Sequence, residues 1–263
     1  MPAPRVDHPS VAETARRRQL KAILFDLGST LIYFDGNWDE IRPQRDAILL
    51  SRLHQAGINI NGDSFLDQFN ANLTIYYIER DTEFIEHTTA YLLRSLLAEW
   101  GYTQVSEEVI QHILSGMYAV SQAHWKAEPD AHPTLRSLRE LGYRLGLISN
   151  ASDDADVQAL VDQVGFRKHF DVIITSAAQG IRKPNPRIFK TALDHWGLQP
   201  SQAAMVGDSL GADILGAQNG GLYSIWITRR ADTAANRAHE DTIQPDAVIS
   251  ALGELPQLLN SLP

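Results

Sequence analysis

The chain has 263 residues, 44% of them hydrophobic and 21% charged, a globular composition with apolar material for one ordinary domain or two small ones. Its 23 basic and 32 acidic residues leave a net charge of −9, which disfavours a broad nucleic-acid or anionic-membrane surface and still allows a small anionic substrate held by a few local cations. Cysteine is absent, which excludes disulfides, thiolate metal sites and a cysteine nucleophile and fits a reducing, cytoplasmic setting.

Residues 1–19 read as an N-terminal tail. They contain no apolar h-region, so no secretory signal is expected, and Arg16, Arg17 and Arg18 read as solvated charges. No apolar run in the chain approaches the roughly 18 residues of a membrane span. The first element is Ala22–Phe25, an apolar run stopped by Asp26, with the shape of a strand buried on both faces of a parallel sheet.

The stretch 35–128 differs in kind. It has no convincing β-type run, and its apolar residues fall in long amphipathic blocks. Leu49, Leu50 and Leu53 belong to one, Phe65, Phe69 and Leu73 to a second, Leu92, Leu96 and Leu97 to a third, and Ile110, Ile113 and Met117 to a fourth. Four or more helices forming a separate unit are expected. Residues 127–133 read as the return linker.

Strands then alternate with helices. Runs at 143–148, 172–174, 203–206 and 222–227 end in Ser149 and Asn150, in Thr175 and Ser176, in Gly207 and Asp208, and in Thr228. Helical spacing separates them, opened by Pro186 and stopped by Gly142, Gly165, Gly197 and Gly220. Residues 246–249 suit an edge strand, and 252–259 a closing helix weakened by Pro256. The fold class expected is α/β, a doubly wound, parallel, Rossmann-like sheet with an inserted helical domain. Its core would be 20–34 and 129–263, and its insert 35–128.

Ligands of such sheets bind outside the carboxyl ends of the strands. Asp26, Ser149, Asn150 and Asp208 would meet there, joined by Lys183 from the loop after the third strand. Two carboxylates, a hydroxyl, an amide and an ammonium at one mouth can hold a divalent cation and a phosphate together, and hard oxygen ligands suit Mg²⁺. Each residue also has a structural alternative: a capping carboxylate, a turn serine, a solvated lysine, or, for Asp213, an acid answering a helix dipole.

Four segments carry a family resemblance: residues 25–31 (FDLGSTL), 148–150 (ISN), 182–186 (RKPNP) and 207–213 (GDSLGAD). In this order, each at a strand end, they resemble the haloacid dehalogenase superfamily of hydrolases, over nearly the whole chain from Lys21. The helical insert resembles members with a small α-helical cap. The resemblance implies a Mg²⁺-dependent phosphatase of small phosphate monoesters, a monomer or homodimer with no nucleic-acid or membrane partner. Asp26 would be the nucleophile, forming an aspartyl-phosphate, and Lys183 would orient it and offset charge. Ser149 and the backbone of Asn150 would hold phosphoryl oxygens, with Thr30 supporting the turn. Asp26, the carbonyl of Gly28, Asp208 and Asp213 would form the metal site, Asp213 by tying down Lys183 or a metal-bound water.

Gly28 departs from the pattern, because typical phosphatases of the family carry at that position an Asp that protonates the leaving oxygen and then activates water. Three readings stay open. The protein is a phosphatase whose acid comes from elsewhere, Tyr33 and Asp35 being the nearby candidates, or whose substrates carry good leaving groups. It is a dehalogenase-type hydrolase, although the tyrosine those enzymes carry at position 28 is missing. Or it binds a phosphorylated ligand with little turnover. Trp38, Tyr76, Tyr77, His87, Tyr91, His124 and Trp125 are the large or polar residues of the insert that could reach a substrate.

Overall fold

A computed structural model describes residues 20–262, without the side chain of residue 81; the tail 1–19 with its arginine run lies outside the described residues. The sheet is six-stranded, in the order β5-β4-β1-β6-β7-β8, and every pairing in it is parallel. β1 is Ala22–Phe25, β4 Arg144–Ser149, β5 Val172–Thr175, β6 Ala203–Gly207, β7 Tyr223–Ile227 and β8 Ala247–Ile249. Register places Phe25 beside Leu147 and Val206, so Asp26, Ser149 and Asp208 leave the sheet on one edge.

β1 explains why this sheet forms. All four of its residues have no exposed area. Ile23 and Phe25 face one layer with Leu145, Leu147, Val206, Val161 and Leu255. Ala22 and Leu24 face the other with Ile148, Met205, Phe189 and Trp196. Period-two alternation in a run without polar residues therefore serves two cores at once. The first layer is covered by α5 (Ala131–Glu140), α6 (Asp154–Gln163) and α11 (Leu255–Ser261), and the second by α8 (Arg187–Trp196) and α9 (Leu215–Gly220). Two single-turn helices, α7 (Ser176–Gln179) and α10 (Ala234–Arg237), follow β5 and β7. Pro256 does not interrupt α11. It stands in the first turn, where the missing N–H would have had no helical partner.

Between β1 and β4 the chain builds the helical unit: α1 (Trp38–Gln55), α2 (Gly62–Glu83), α3 (Thr89–Glu99) and α4 (Glu107–Gln122). Asn37, Asn61, Thr88 and Ser106 cap the four N-termini with side-chain acceptors. Leu49, Leu53, Phe65, Phe69, Leu93 and Ile113 are among the residues of its common interior. The unit is entered and left through two short antiparallel strands, β2 (Ile32–Phe34) and β3 (Trp125–Ala127), with Tyr33 opposite Lys126. β3 corrects the expectation that residues 35–128 hold no strand. Three residues are too few to show an alternating pattern, and β3 exists only because β2 lies beside it.

Candidate active site

Asp26 follows β1 directly, and its backbone N–H bonds the carbonyl of Val206 at 2.9 Å. This points the carboxylate out of the sheet edge toward Lys183, whose Nζ lies 2.6 Å from Asp26 Oδ1, 2.7 Å from the Ile148 carbonyl and 2.7 Å from Asp213 Oδ1. Lys183 is 2% exposed, and its three ammonium protons face three oxygens. Asn150 fixes the lysine's backbone from both sides: its Oδ1 accepts from the Lys183 N–H and its Nδ2 donates to the Lys183 carbonyl, each at 2.9 Å. The Asn150 side chain is thus spent on the lysine loop.

Asp213 is buried, and its Oδ2 accepts the Ser209 N–H at 3.0 Å. It leans on Gly207, where a Cβ would come within 2.2 Å of the carboxyl carbon, so this strand end has to be glycine. Asp208 receives the Thr30 hydroxyl on Oδ1 at 3.4 Å, and Thr30 is fully buried. Ser149 is buried too, and its hydroxyl makes no hydrogen bond among the described residues, which leaves it the uncommitted polar group at the mouth.

Carboxylate oxygens of Asp26, Asp208 and Asp213 lie within 4.8 Å of one another. Burial pushes the Asp26 carboxyl up to about 6, with Lys183 opposing and Asp213 adding to the rise. Burial, reinforced by Asp26 and Asp213, pushes Asp208 up to about 8. For Lys183, burial favours the neutral amine, but Asp213 and Asp26 outweigh it and the ammonium is held above its usual range. Three carboxylates sharing one ammonium lack positive charge. An oxygen-only donor set of this compactness fits a hard divalent cation.

The other expected residues divide. Asp35 is exposed and ion-paired with Lys126, which holds its carboxyl below the usual range. Tyr33 lies under the Arg230 guanidinium, 4.1 Å from the ring centroid. Trp38 stacks on Phe34 at 4.2 Å, and Phe34 meets Trp125 edge-on at 5.3 Å. Tyr77 and Tyr91 are exposed. Tyr76 is buried where the helical unit meets the sheet. There its hydroxyl bonds Glu86, whose side chain has no exposed area. Glu86 Oε2 also accepts the Ser176 hydroxyl at 2.7 Å and lies 3.4 Å from Arg182. Ser176 in turn accepts from the Ala151 N–H at 2.9 Å. Glu86 thus touches Arg182, the neighbour of Lys183, and reaches Ala151, the neighbour of Asn150, through Ser176.

The sequence profile of the haloacid dehalogenase-like hydrolases matches residues 20–221. The chain belongs to this family. A glyceraldehyde 3-phosphate phosphatase of Pyrococcus abyssi is 30% identical over 208 residues, 79% of this chain and 81% of that protein. A phosphoserine phosphatase of Thermus thermophilus is 34% identical over 127 residues, 48% of this chain and 49% of its own. Among solved structures, a HAD phosphatase from Thermococcus onnurineus superposes with a TM-score of 0.63 at 24% identity, covering 92% of this chain and 99% of that one. A 2-haloacid dehalogenase from Pseudomonas syringae pv. Tomato gives a TM-score of 0.62 at 24% identity, over 92% and 98%. Phosphatases and dehalogenases share this fold.

In this HAD-like hydrolase two residues beyond the matched stretch bond the Asp208 carbonyl. Asn236 in α10 is 2% exposed. Its Nδ2 donates to the Asp208 and Ala231 carbonyls, and its Oδ1 accepts the Leu210 N–H, each at 2.8 Å. Trp226 Nε1 adds a second bond to the Asp208 carbonyl at 2.9 Å. Nothing in the sequence marks either residue, since an Asn in a polar loop has no spacing signal and Trp226 reads as one more strand residue.

Proposed function

We propose that the protein is a Mg²⁺-dependent phosphatase of small phosphate monoesters, acting through an aspartyl-phosphate on Asp26. Residues 35–128 serve as a cap over the core 20–34 and 129–263. The observation that carries the reading is the half-buried to buried cluster at the strand ends, in which three carboxylates are matched by the single ammonium of Lys183. The relatives named as phosphatases support it.

Asp26, with one oxygen held by Lys183, presents the other to phosphorus. Lys183 keeps the nucleophile oriented and offsets charge on the transferring group. The free hydroxyl of Ser149 and the backbone N–H of Asn150 bind phosphoryl oxygens. Thr30 acts through Asp208, which it holds in place. Asp26, Asp208 and the carbonyl of Gly28 would hold Mg²⁺, with Asp213 beside them securing Lys183. When bound, the cation supplies charge neutralisation at the phosphoryl oxygens. A cytoplasmic site of action belongs to this reading. Among the described residues no helix is long and apolar enough to cross a membrane.

The test is phosphate release from a panel of monoesters with and without Mg²⁺, with Asp26→Asn as the blank. Metal-dependent release at least about 10⁴-fold above that variant is expected, as for loss of a covalent nucleophile. Activity retained in Asp26→Asn would overturn the mechanism. Halide release from 2-haloacids in place of phosphate release would identify the dehalogenase alternative. Ligand-induced thermal stabilisation without product would identify a binding protein.

A further inference from the structure

We infer that this site is built for activated phosphates, those whose leaving oxygen departs as a stable anion, such as acyl and aryl phosphates, and not for alkyl phosphates. The inference rests on the phosphatase reading and concerns the substrate class of that site.

It starts at Gly28. The residue is half-buried, and its φ lies outside the left-handed region. A Cβ added there would meet nothing nearer than Cη2 of Trp125, at 3.9 Å. Backbone and packing would therefore accept a side chain at this position, so neither strain nor crowding accounts for the glycine. Its consequence is chemical: two residues after the nucleophile there is no proton donor, and the group facing the gap is an indole carbon.

Among the described residues, the side chains on and beside the two strands that enter and leave the helical unit are engaged elsewhere. Asp35 is exposed, bound to Lys126 and held in its charged form, the wrong form for an acid. The Tyr33 ring is stacked under the Arg230 guanidinium. Glu128, next along the return strand, is buried between Arg229 and Arg230. His124 turns Nδ1 toward the Asp35 carbonyl at 3.4 Å. At the nucleophile itself, Lys183 donates to Asp26 and to the Ile148 carbonyl and is ion-paired with Asp213, and the Thr30 hydroxyl donates to Asp208.

The first step then has a defined form. An Asp26 carboxylate oxygen attacks phosphorus, the bond from phosphorus to the leaving oxygen breaks, and that oxygen keeps the electron pair. Its proton, if it takes one, comes from solvent. In the second step water attacks phosphorus, the bond to Asp26 breaks, the carboxylate is restored, and the proton of the attacking water passes to solvent. A carboxylate or a phenolate, with parent acids near pKa about 4 and about 10, can leave in this way. An alkoxide is far more basic, and losing general-acid assistance costs it about 10²–10⁴-fold.

The experiment is kcat/KM, which reads the steps through the first irreversible one, at fixed pH and Mg²⁺. The substrates are acetyl phosphate, a graded series of substituted phenyl phosphates, and the alkyl esters glycerol 3-phosphate and glyceraldehyde 3-phosphate. For the natural sequence, kcat/KM should fall steeply with rising leaving-group pKa, with the alkyl esters about 10²–10⁴-fold below the aryl and acyl members. In Gly28→Asp the alkyl esters should recover most of that deficit and the dependence should flatten. A flat dependence in the natural sequence, with alkyl and aryl esters turned over alike, overturns the inference while leaving a phosphatase. Release from no member above the Asp26→Asn blank overturns the phosphatase reading and the inference with it. The natural-sequence slope decides the matter even where Gly28→Asp does not fold.

Discussion

At the carboxyl edge of the sheet, Lys183, Asp213 and Asn236 are each at most 2% exposed, whereas in the helical unit the comparably buried side chains are Leu49, Leu53, Phe65, Leu93 and Ile113. The two regions bury opposite kinds of material for different ends. An apolar interior stabilises by leaving water and asks little of its neighbours beyond shape. A buried ammonium among carboxylates costs desolvation and persists only because every oxygen and proton in it is placed. On the proposed reading the sheet edge carries the chemistry at the expense of stability, and the helical unit holds together by packing. A charged exception sits at their joint, where the Glu86 side chain is as buried as that of Lys183 yet belongs to the helical unit.

The contrast can be broken by substitution. Phe65→Ala in the helical interior should cost about 3–5 kcal/mol in urea unfolding, while the folded fraction keeps kcat/KM within a few-fold; a specific loss of activity there would erase the distinction. Glu86→Gln tests the joint. Weakening its pair with Arg182 should cost about 2–4 kcal/mol. Because Arg182 adjoins Lys183, turnover should fall as well, whereas stability loss alone would assign Glu86 to packing. Asn236→Ala frees the Asp208 loop and leaves the Leu210 N–H unpaired, for about 1–3 kcal/mol. The Mg²⁺ concentration giving half-maximal thermal stabilisation should rise several-fold, a shift that a purely structural asparagine would not cause.

The smallest effect concerns Asp156, at the start of α6 facing α4. Burial pushes its carboxyl up to about 6 despite the hydrogen bond from Gln122. A folded pKa above the unfolded one means that the native state holds the proton more tightly. Its ionisation therefore costs stability increasingly from pH 4 upward, and in full above pH 6. Asp156→Asn should stabilise by on the order of 1 kcal/mol at pH 7.5 and by much less at pH 4.5. Equal effects at both values would show that the charge is well solvated.

Much of the α/β sheet was legible because each strand carries its own signal. An apolar run of four to six residues stopped by Asp26, Ser149, Thr175 or Gly207 states both that the strand is buried and where it ends. The amphipathic blocks of α1–α4 were legible for the same reason. β2 and β3 were not, being three residues long and stabilised only by each other. Pro256 misled because a proline warning depends on where the helix begins, and tertiary contacts of Leu252 and Leu255 decide that.

The chain order of apolar and polar residues by itself determined the sheet, the helical insert and the candidates Asp26, Ser149, Lys183 and Asp208, because burial periodicity is a local property written residue by residue. What each polar group touches was decided only by the fold. Lys183 reaches Asp26 across 157 positions and Glu86 reaches Ser176 across 90, while Thr30, Asn150 and Asn236 act by holding Asp208 and the Lys183 loop. Hydrogen bonds and ion pairs depend on distances of a few ångströms between groups far apart in sequence, and no local pattern encodes them.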